Sequence, residues 1–104
     1  MRRSMVVIAF LAMPVYAETP GPIRQEQLRQ LLLEDCGSCH GITLKGGLGP
    51  SLLQSRLKPF QDDYLISTIL DGRPGTPMPA WRSILGRDEV IWIVQELRRR
   101  PDAP

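Results

Sequence analysis

The sequence has 104 residues, which is the size of one small domain, and 23% of them are charged. Its 13 basic and 11 acidic residues give a formal net charge of +2. Two of the basic residues, Arg2 and Arg3, lie in an N-terminal segment that we expect to be removed, which leaves 11 of each sign. A balanced charge gives no argument for nucleic acid or an anionic membrane surface as a partner.

Residues 1–17 have the features of a cleaved signal peptide. Arg2 and Arg3 precede an apolar run over residues 5–13, and Val15 and Ala17 fit positions −3 and −1 of a cleavage site. The apolar run has about nine residues, whereas a membrane span needs roughly 20. We therefore expect an exported, periplasmic protein with a single domain at residues 18–104 and no stable membrane insertion. An uncleaved anchor or a buried helix is the alternative.

The central motif is Cys36-Gly37-Ser38-Cys39-His40. This spacing is the attachment signature of haem c, because two thiols one turn apart can add to two vinyl groups along one porphyrin edge. The histidine after the second thiol can then reach the iron as the proximal ligand. A domain of 87 residues also has a small core, so a covalently bound cofactor would stabilise it.

Other uses of two cysteines fit this sequence less well. A zinc site needs four ligands, but the chain has two cysteines and one histidine. A thioredoxin-like redox motif belongs in a βαβ setting, and no convincing strand pattern follows the motif. A structural disulfide between Cys36 and Cys39 would close a very short loop and stabilise little. These comparisons favour one covalently attached haem c, with iron.

Met78 is the candidate for the distal iron ligand. It is the only methionine outside residues 1–17, and Pro77 and Pro79 stiffen its loop. Lys45, Lys58 or water would be substitutes. A histidine and a methionine fill both axial positions, which favours electron transfer by a non-enzymatic carrier. A ligand-binding or catalytic haem protein with a labile sixth position is the alternative from another class.

Apolar spacing predicts three main helices. They cover residues 23–36, ending at the haem motif, residues 61–70, and residues 87–99 with Asp88 as N-cap. Residues 41–60 are predicted to be irregular. Residues 90–94 are continuously apolar, so a buried strand is an alternative there, although the polar residues on both sides favour a helix.

Three further side-chain groups need an interpretation. Trp81 and Trp92 are expected to be core aromatics, and the Trp81 indole N–H could donate to a haem propionate. Residues 98–100 are three consecutive arginines at a helix C-terminus, where cations complement the helix dipole. We expect them to form a solvated face, and docking to an acidic partner is the alternative.

In this order of helices and loops the chain resembles the class I cytochromes c. The resemblance covers residues 20–100 and implies an all-α small cytochrome c fold, with Gly/Pro-rich loops around one covalently bound haem. It also implies that the Pro50 carbonyl orients the proximal histidine. That family crosses its first and last helices through a small residue against an aromatic. Trp92 fits the aromatic side, but residues 26–33 contain no glycine.

Residues 36–50 and 71–81 resemble, more narrowly, the small periplasmic cytochromes that accompany the cytochrome-type dissimilatory nitrite reductase of denitrifying bacteria. This resemblance implies a monomeric electron carrier that receives electrons from a quinol-linked donor and delivers them to that reductase. An accessory role in maturation of the reductase's haem is the second reading that the resemblance implies.

Overall fold

The computed structural model describes residues 2–12 and 18–102. Residues 2–12 of the predicted leader form neither helix nor strand, and their apolar side chains are exposed. The predicted cleavage-site residues Val15 and Ala17 lie outside the described residues. Within the described ranges, none of the helices has the length and apolar character that crossing a membrane requires.

Residues 2–12 and 18–102 contain helices and no strand, so the predicted all-α class is confirmed. The elements are α1 (Pro22–Leu31), a π-helical turn (Leu32–Cys36), α2 (Gly37–His40), α3 (Gln54–Leu57), α4 (Asp62–Asp71) and α5 (Arg87–Arg99). Because α1, the π-helical turn and α2 follow one another without a break, they form one helix over residues 22–40. This helix, α4 and α5 are the three main helices.

The first helix is longer than predicted, because it continues through the cysteine motif to His40. It ends at Gly41, whose φ of 94° leaves the helical region. The π-helical turn immediately before the motif adds a residue to one turn, so the side chains that follow are rotated relative to α1. Such turns have no apolar signature, and the sequence did not indicate this one.

The other two main helices lie where the sequence places them, apart from details at their ends. α4 carries Asp62 and Asp63 in its first turn, and α5 includes residues 90–94, so the strand alternative is wrong. The prediction of Asp88 as N-cap is also wrong, because Gly86 holds that position. The Gly86 N–H donates to Glu89 Oε1 at 3.0 Å, which satisfies the helix start without an Asp88 cap.

One hydrophobic core joins the helices. Its most deeply buried side chains are Leu28, Leu32, Leu70, Val90, Ile93 and Val94. Trp92 is buried in this core, and Trp81 is partly buried against it, as expected for both. The short helix α3, in the region predicted to be irregular, contributes the buried Leu57.

The first and last helices pack without the glycine of the family's usual crossing. The Arg29 guanidinium lies 5.3 Å from the centre of the Trp92 ring and 3.5 Å from Glu96 Oε1. Arg24 forms a second ion pair with Glu89. This interface therefore combines buried leucines with two arginine–glutamate pairs.

Arg98 is not part of a free cationic face. Its Nε lies 2.5 Å from Asp62 Oδ1, and its Nη2 donates to the Phe60 carbonyl at 2.6 Å. A third contact reaches the Leu57 carbonyl at 3.4 Å. The expectation of a solvated arginine face is therefore wrong for Arg98, which ties α5 to the start of α4. Arg99 pairs with Glu96 of its own helix at 2.9 Å.

Candidate haem-binding site

His40 is the last residue of α2, and its imidazole is held by the loop that follows. The His40 Nδ1–H donates to the Pro50 carbonyl at 2.6 Å, since a carbonyl can only accept. That bond fixes the tautomer and leaves Nε2 with the free lone pair that a metal requires. Gly49 lies against the same ring, where an added Cβ would be 2.9 Å from Cε1 and Nδ1.

The loop over residues 41–50 is itself fastened to the cysteine motif through its backbone. The Gly46 N–H donates to the His40 carbonyl and the Gly49 N–H donates to the Cys39 carbonyl, both at 2.8 Å. These bonds satisfy the carbonyls that the helix end leaves free. The C-terminus of α2 and the carbonyl that orients His40 therefore form one rigid unit.

Both cysteines are free thiols in the structure and partly buried on the same stretch of helix. Burial, with a smaller effect from the Asp35 carboxylate, raises the pKa of Cys36 to about 11. Reactive Cys-x-x-Cys pairs of redox enzymes have the opposite property, a lowered thiol pKa. The environment of Cys36 therefore does not favour the thiol–disulfide reading.

The donor set fits a haem better than a bare metal ion. Across residues 2–12 and 18–102, no three His, Cys, Asp or Glu side chains converge on a point where they could hold a metal. A haem brings four nitrogen ligands of its own and asks the chain for axial ligands only. One oriented imidazole beside two free thiols meets that demand.

Met78 lies in a second loop, which folds back on the end of α4. The Arg73 N–H donates to the Met78 carbonyl at 3.2 Å, and the Met78 N–H donates to Thr76 Oγ1 at 3.3 Å. Gly72 has a φ of 68°, and a Cβ there would lie 2.7 Å from the Met78 carbonyl oxygen. This close approach requires glycine, which explains the tight return of the chain.

The structure joins some of the predicted site residues directly and leaves others apart. Pro50 contacts His40 directly. Trp81 instead fastens the Met78 loop to α4, because its backbone N–H donates to the Ile69 carbonyl at 3.0 Å. In the part of the chain that the structure describes, no backbone hydrogen bond links the two loops. The contacts of Gly49, Gly72 and Thr76 were not predicted from the sequence. For Gly49 and Gly72 the only signal in the sequence was the glycine itself, directly before Pro50 and directly after α4.

An oriented imidazole with a free Nε2 next to paired thiols on one helix defines a c-type cytochrome. The chain belongs to the cytochrome family whose model, described as cytochrome c oxidase, cbb3-type, subunit III, matches residues 24–95. The cofactor of this family is covalently bound haem c, and the predicted cofactor is thereby confirmed.

The chain is also similar to individual proteins of known identity. The chain is 49% identical over 87 residues to cytochrome c55X of Pseudomonas aeruginosa, covering 84% of this chain and 73% of the relative. It is similar to the solved structure of the c-type cytochrome NirC, with a TM-score of 0.77 and 49% identity, covering 82% of this chain and all of that one. The chain is also 38% identical over 74 residues to the dihydro-haem d1 dehydrogenase of Pseudomonas aeruginosa. This match covers 68% of this chain but only 14% of that enzyme.

Proposed function

We propose that this chain is a periplasmic electron carrier of denitrification that donates electrons to a cytochrome-type nitrite reductase. The observation that carries the proposal is the His40 imidazole, fixed by the Pro50 carbonyl at 2.6 Å with Nε2 free beside a thiol pair. The similarity to cytochrome c55X and to NirC supports the assignment to denitrification.

Each site residue has a defined part in this proposal. Cys36 and Cys39 hold the haem through thioether bonds, and His40 Nε2 is the proximal ligand. Met78 is the distal ligand, held by hydrogen bonds within its own loop. Haem iron between an imidazole and a thioether exchanges one electron at a raised potential.

Trp81 is proposed to bind a propionate. Its side chain is partly buried against the core. A buried or half-buried indole usually finds an acceptor. A propionate at the edge of the site would supply one.

The remaining elements of the proposal follow from the sequence. Residues 1–17 direct export and are cleaved, and residues 18–104 act as a monomer without catalytic activity of their own. With His40 and Met78 in the axial positions, no coordination site is left for a substrate. A quinol-linked protein is the upstream donor, and nucleic acid is not a partner.

Exposed apolar side chains near His40 offer a docking face for the reductase. Ile42 is 87% exposed two residues after His40, and Leu48 is 78% exposed in the loop that carries Pro50. Contact through such side chains depends on surface complementarity more than on charge, so the association rate should change little with salt.

A second candidate function is electron transfer during maturation of the reductase's haem. The similarity to a segment of dihydro-haem d1 dehydrogenase favours it, because related haem domains then occur in a carrier and in an enzyme of haem d1 formation. In this role the chain would accept electrons from such a dehydrogenase, and its site would be the same.

Stopped-flow absorption tests the proposal and separates the two candidates. The reduced holoprotein, mixed with oxidised cytochrome-type nitrite reductase, should be reoxidised rapidly, and Ile42→Ser should slow the second-order step. Ile23→Ser is the matched control. Ile23 is 80% exposed, but it lies about 25 Å from His40 along the first helix. Reduction of the oxidised holoprotein by a dehydrogenase with its substrate, without transfer to the reductase, would favour the maturation role. A holoprotein that neither donates electrons to the reductase nor accepts them from the dehydrogenase would contradict both candidates.

A further inference from the structure

The chain segment before α1 is fastened to the body of the protein at three points. The Glu18 backbone nitrogen lies 3.2 Å from Asp88 Oδ2 in the first turn of α5. Further along, Gln25 donates through Nε2 to the Pro20 carbonyl and through its backbone N–H to the Gly21 carbonyl, both at 2.8 Å. Residues 18–21, which we call the N-terminal arm, therefore lie against the junction of α1 and α5.

Glu18 is also the residue that leader removal would place at the N-terminus. Hydrolysis of the Ala17–Glu18 peptide bond consumes one water, leaves a carboxylate on Ala17 and creates an α-amino group on Glu18. Such a group has an ordinary pKa of about 7.7–8.0, so it is mostly an ammonium at neutral pH. The atom that donates one amide hydrogen bond to Asp88 thus becomes a cation.

We propose that leader cleavage creates an ion pair between the Glu18 α-ammonium and the Asp88 carboxylate, which fastens the processed N-terminus to the first turn of α5. The inference rests on the export and cleavage parts of the proposed function. Processing then replaces the neutral amide donor of the uncleaved chain with a cation beside the same carboxylate, and it stabilises the folded form that remains in the periplasm.

The charges around this position leave Asp88 available for the pair. On α5, Glu89 is occupied by Arg24 of α1 and by the Gly86 N–H, and Arg87 is exposed. The arm contributes the exposed Glu18 side chain as a second carboxylate. The positive end of the α5 dipole stabilises Asp88 as a carboxylate but opposes a nearby ammonium, so the pair is of ordinary surface strength.

The experiment uses holoprotein exported to the periplasm together with its Asp88→Asn variant. Mass spectrometry first establishes that the chain begins at Glu18. The rate of α-amine modification by reductive methylation at pH 7.5 then reports the deprotonated amine, because only that form reacts. Losing the carboxylate partner lowers the amine pKa, and we expect Asp88→Asn to react about two- to five-fold faster.

Asp63→Asn is the matched control, because it removes a first-turn carboxylate from α4 instead of α5. Its amine should react at the wild-type rate, and an unchanged haem spectrum should show that both variants are folded. A chain that begins at Glu18 but reacts equally fast in all three proteins would overturn the ion pair and leave the export proposal intact. A chain that retains its leader, or begins elsewhere, would overturn both.

Discussion

The imidazole of His40 is constrained on two sides by neighbouring residues of one loop. The Pro50 carbonyl accepts its Nδ1–H, and the Gly49 backbone lies close enough to the ring that no side chain fits between them. Orientation of a metal-binding imidazole by such a second contact controls both its tautomer and its basicity. The position of His40 therefore depends on two residues that are not themselves predicted iron ligands.

Replacing Gly49 with alanine tests this constraint. The added Cβ would lie 2.9 Å from the His40 ring, so the ring or the loop must shift. We expect the holoprotein to lose about 1–3 kcal/mol of unfolding free energy, as overpacked sites do, together with a changed reduction potential. Denaturant unfolding and voltammetry measure the two effects.

Gly21→Ala is the control for that substitution, since nothing lies within 4 Å of a Cβ at that position. It should leave the potential unchanged. A Gly49→Ala protein with the stability and potential of the wild type would show that the close approach has no role in holding His40.

At the scale of elements, the contact between α1 and α5 replaces a small-residue crossing with ion pairs. Arg24 lowers the pKa of the Glu89 carboxyl, and the hydrogen bond between their side chains is the main cause. A carboxyl whose pKa is depressed by folding stabilises the protein above its unfolded pKa of about 4.3, and this contribution disappears as the pH falls through the folded value.

Glu89→Gln should therefore destabilise the protein at pH 7, and this effect should shrink as the pH falls below about 4.3 and disappear only below the lowered folded pKa. Because the Arg24 side chain is 41% exposed, we expect a loss of only about 0.2–1 kcal/mol. Urea unfolding at several pH values provides the measurement. Glu26→Gln, which removes a local pair within α1, is the control. An effect of Glu89→Gln that is equal at pH 7 and pH 3.5 would exclude the charged pair as its cause.

Arg98 links α5 to the start of α4 through polar contacts. Replacement by methionine keeps the aliphatic stem but removes the contacts to Asp62 and the Phe60 carbonyl, so we expect a loss of about 1–3 kcal/mol. Arg99→Met removes an ion pair within α5 and should cost less than about 0.5 kcal/mol. Chemical denaturation of both variants makes the comparison, and equal losses would argue against the link between helices.

These elements also show how far the sequence alone can be read. The bounds of α5 could be predicted, because polar residues lie on both sides of the apolar run at residues 90–94. The π-helical turn before Cys36 and the short helix α3 were not predictable, since neither has an apolar period of its own. The role of Arg98 was missed because its partners, the Asp62 carboxylate and two backbone carbonyls, lie 36 to 41 residues away in the chain.

The candidate site likewise has residues that could be predicted from the sequence and contacts that could not. The cysteine spacing is a requirement of haem attachment, so the sequence alone predicts Cys36, Cys39 and His40 as the residues that bind the haem. The approach of Gly49 to the imidazole and of Gly72 to Met78 depends on how loops return in three dimensions. Local sequence does not record such distances.

At the scale of the whole molecule, the haem is expected to be part of the core. A chain of this size buries too little surface to be robust on its own residues. Cys39→Ala should therefore leave poorly attached haem and little folded protein, as circular dichroism and haem staining of periplasmic extracts would show. Normal amounts of a stably folded, haem-free variant would contradict this view.

The optical spectrum of the oxidised holoprotein tests the central claim most directly, through comparison of the wild type with Met78→Ala. An electron carrier with His40 and Met78 as axial ligands predicts a weak long-wavelength iron–sulfur charge-transfer band that is lost in the variant. A wild-type spectrum without that band, combined with ready binding of cyanide or nitric oxide, would contradict the carrier assignment and indicate a ligand-binding or catalytic haem protein.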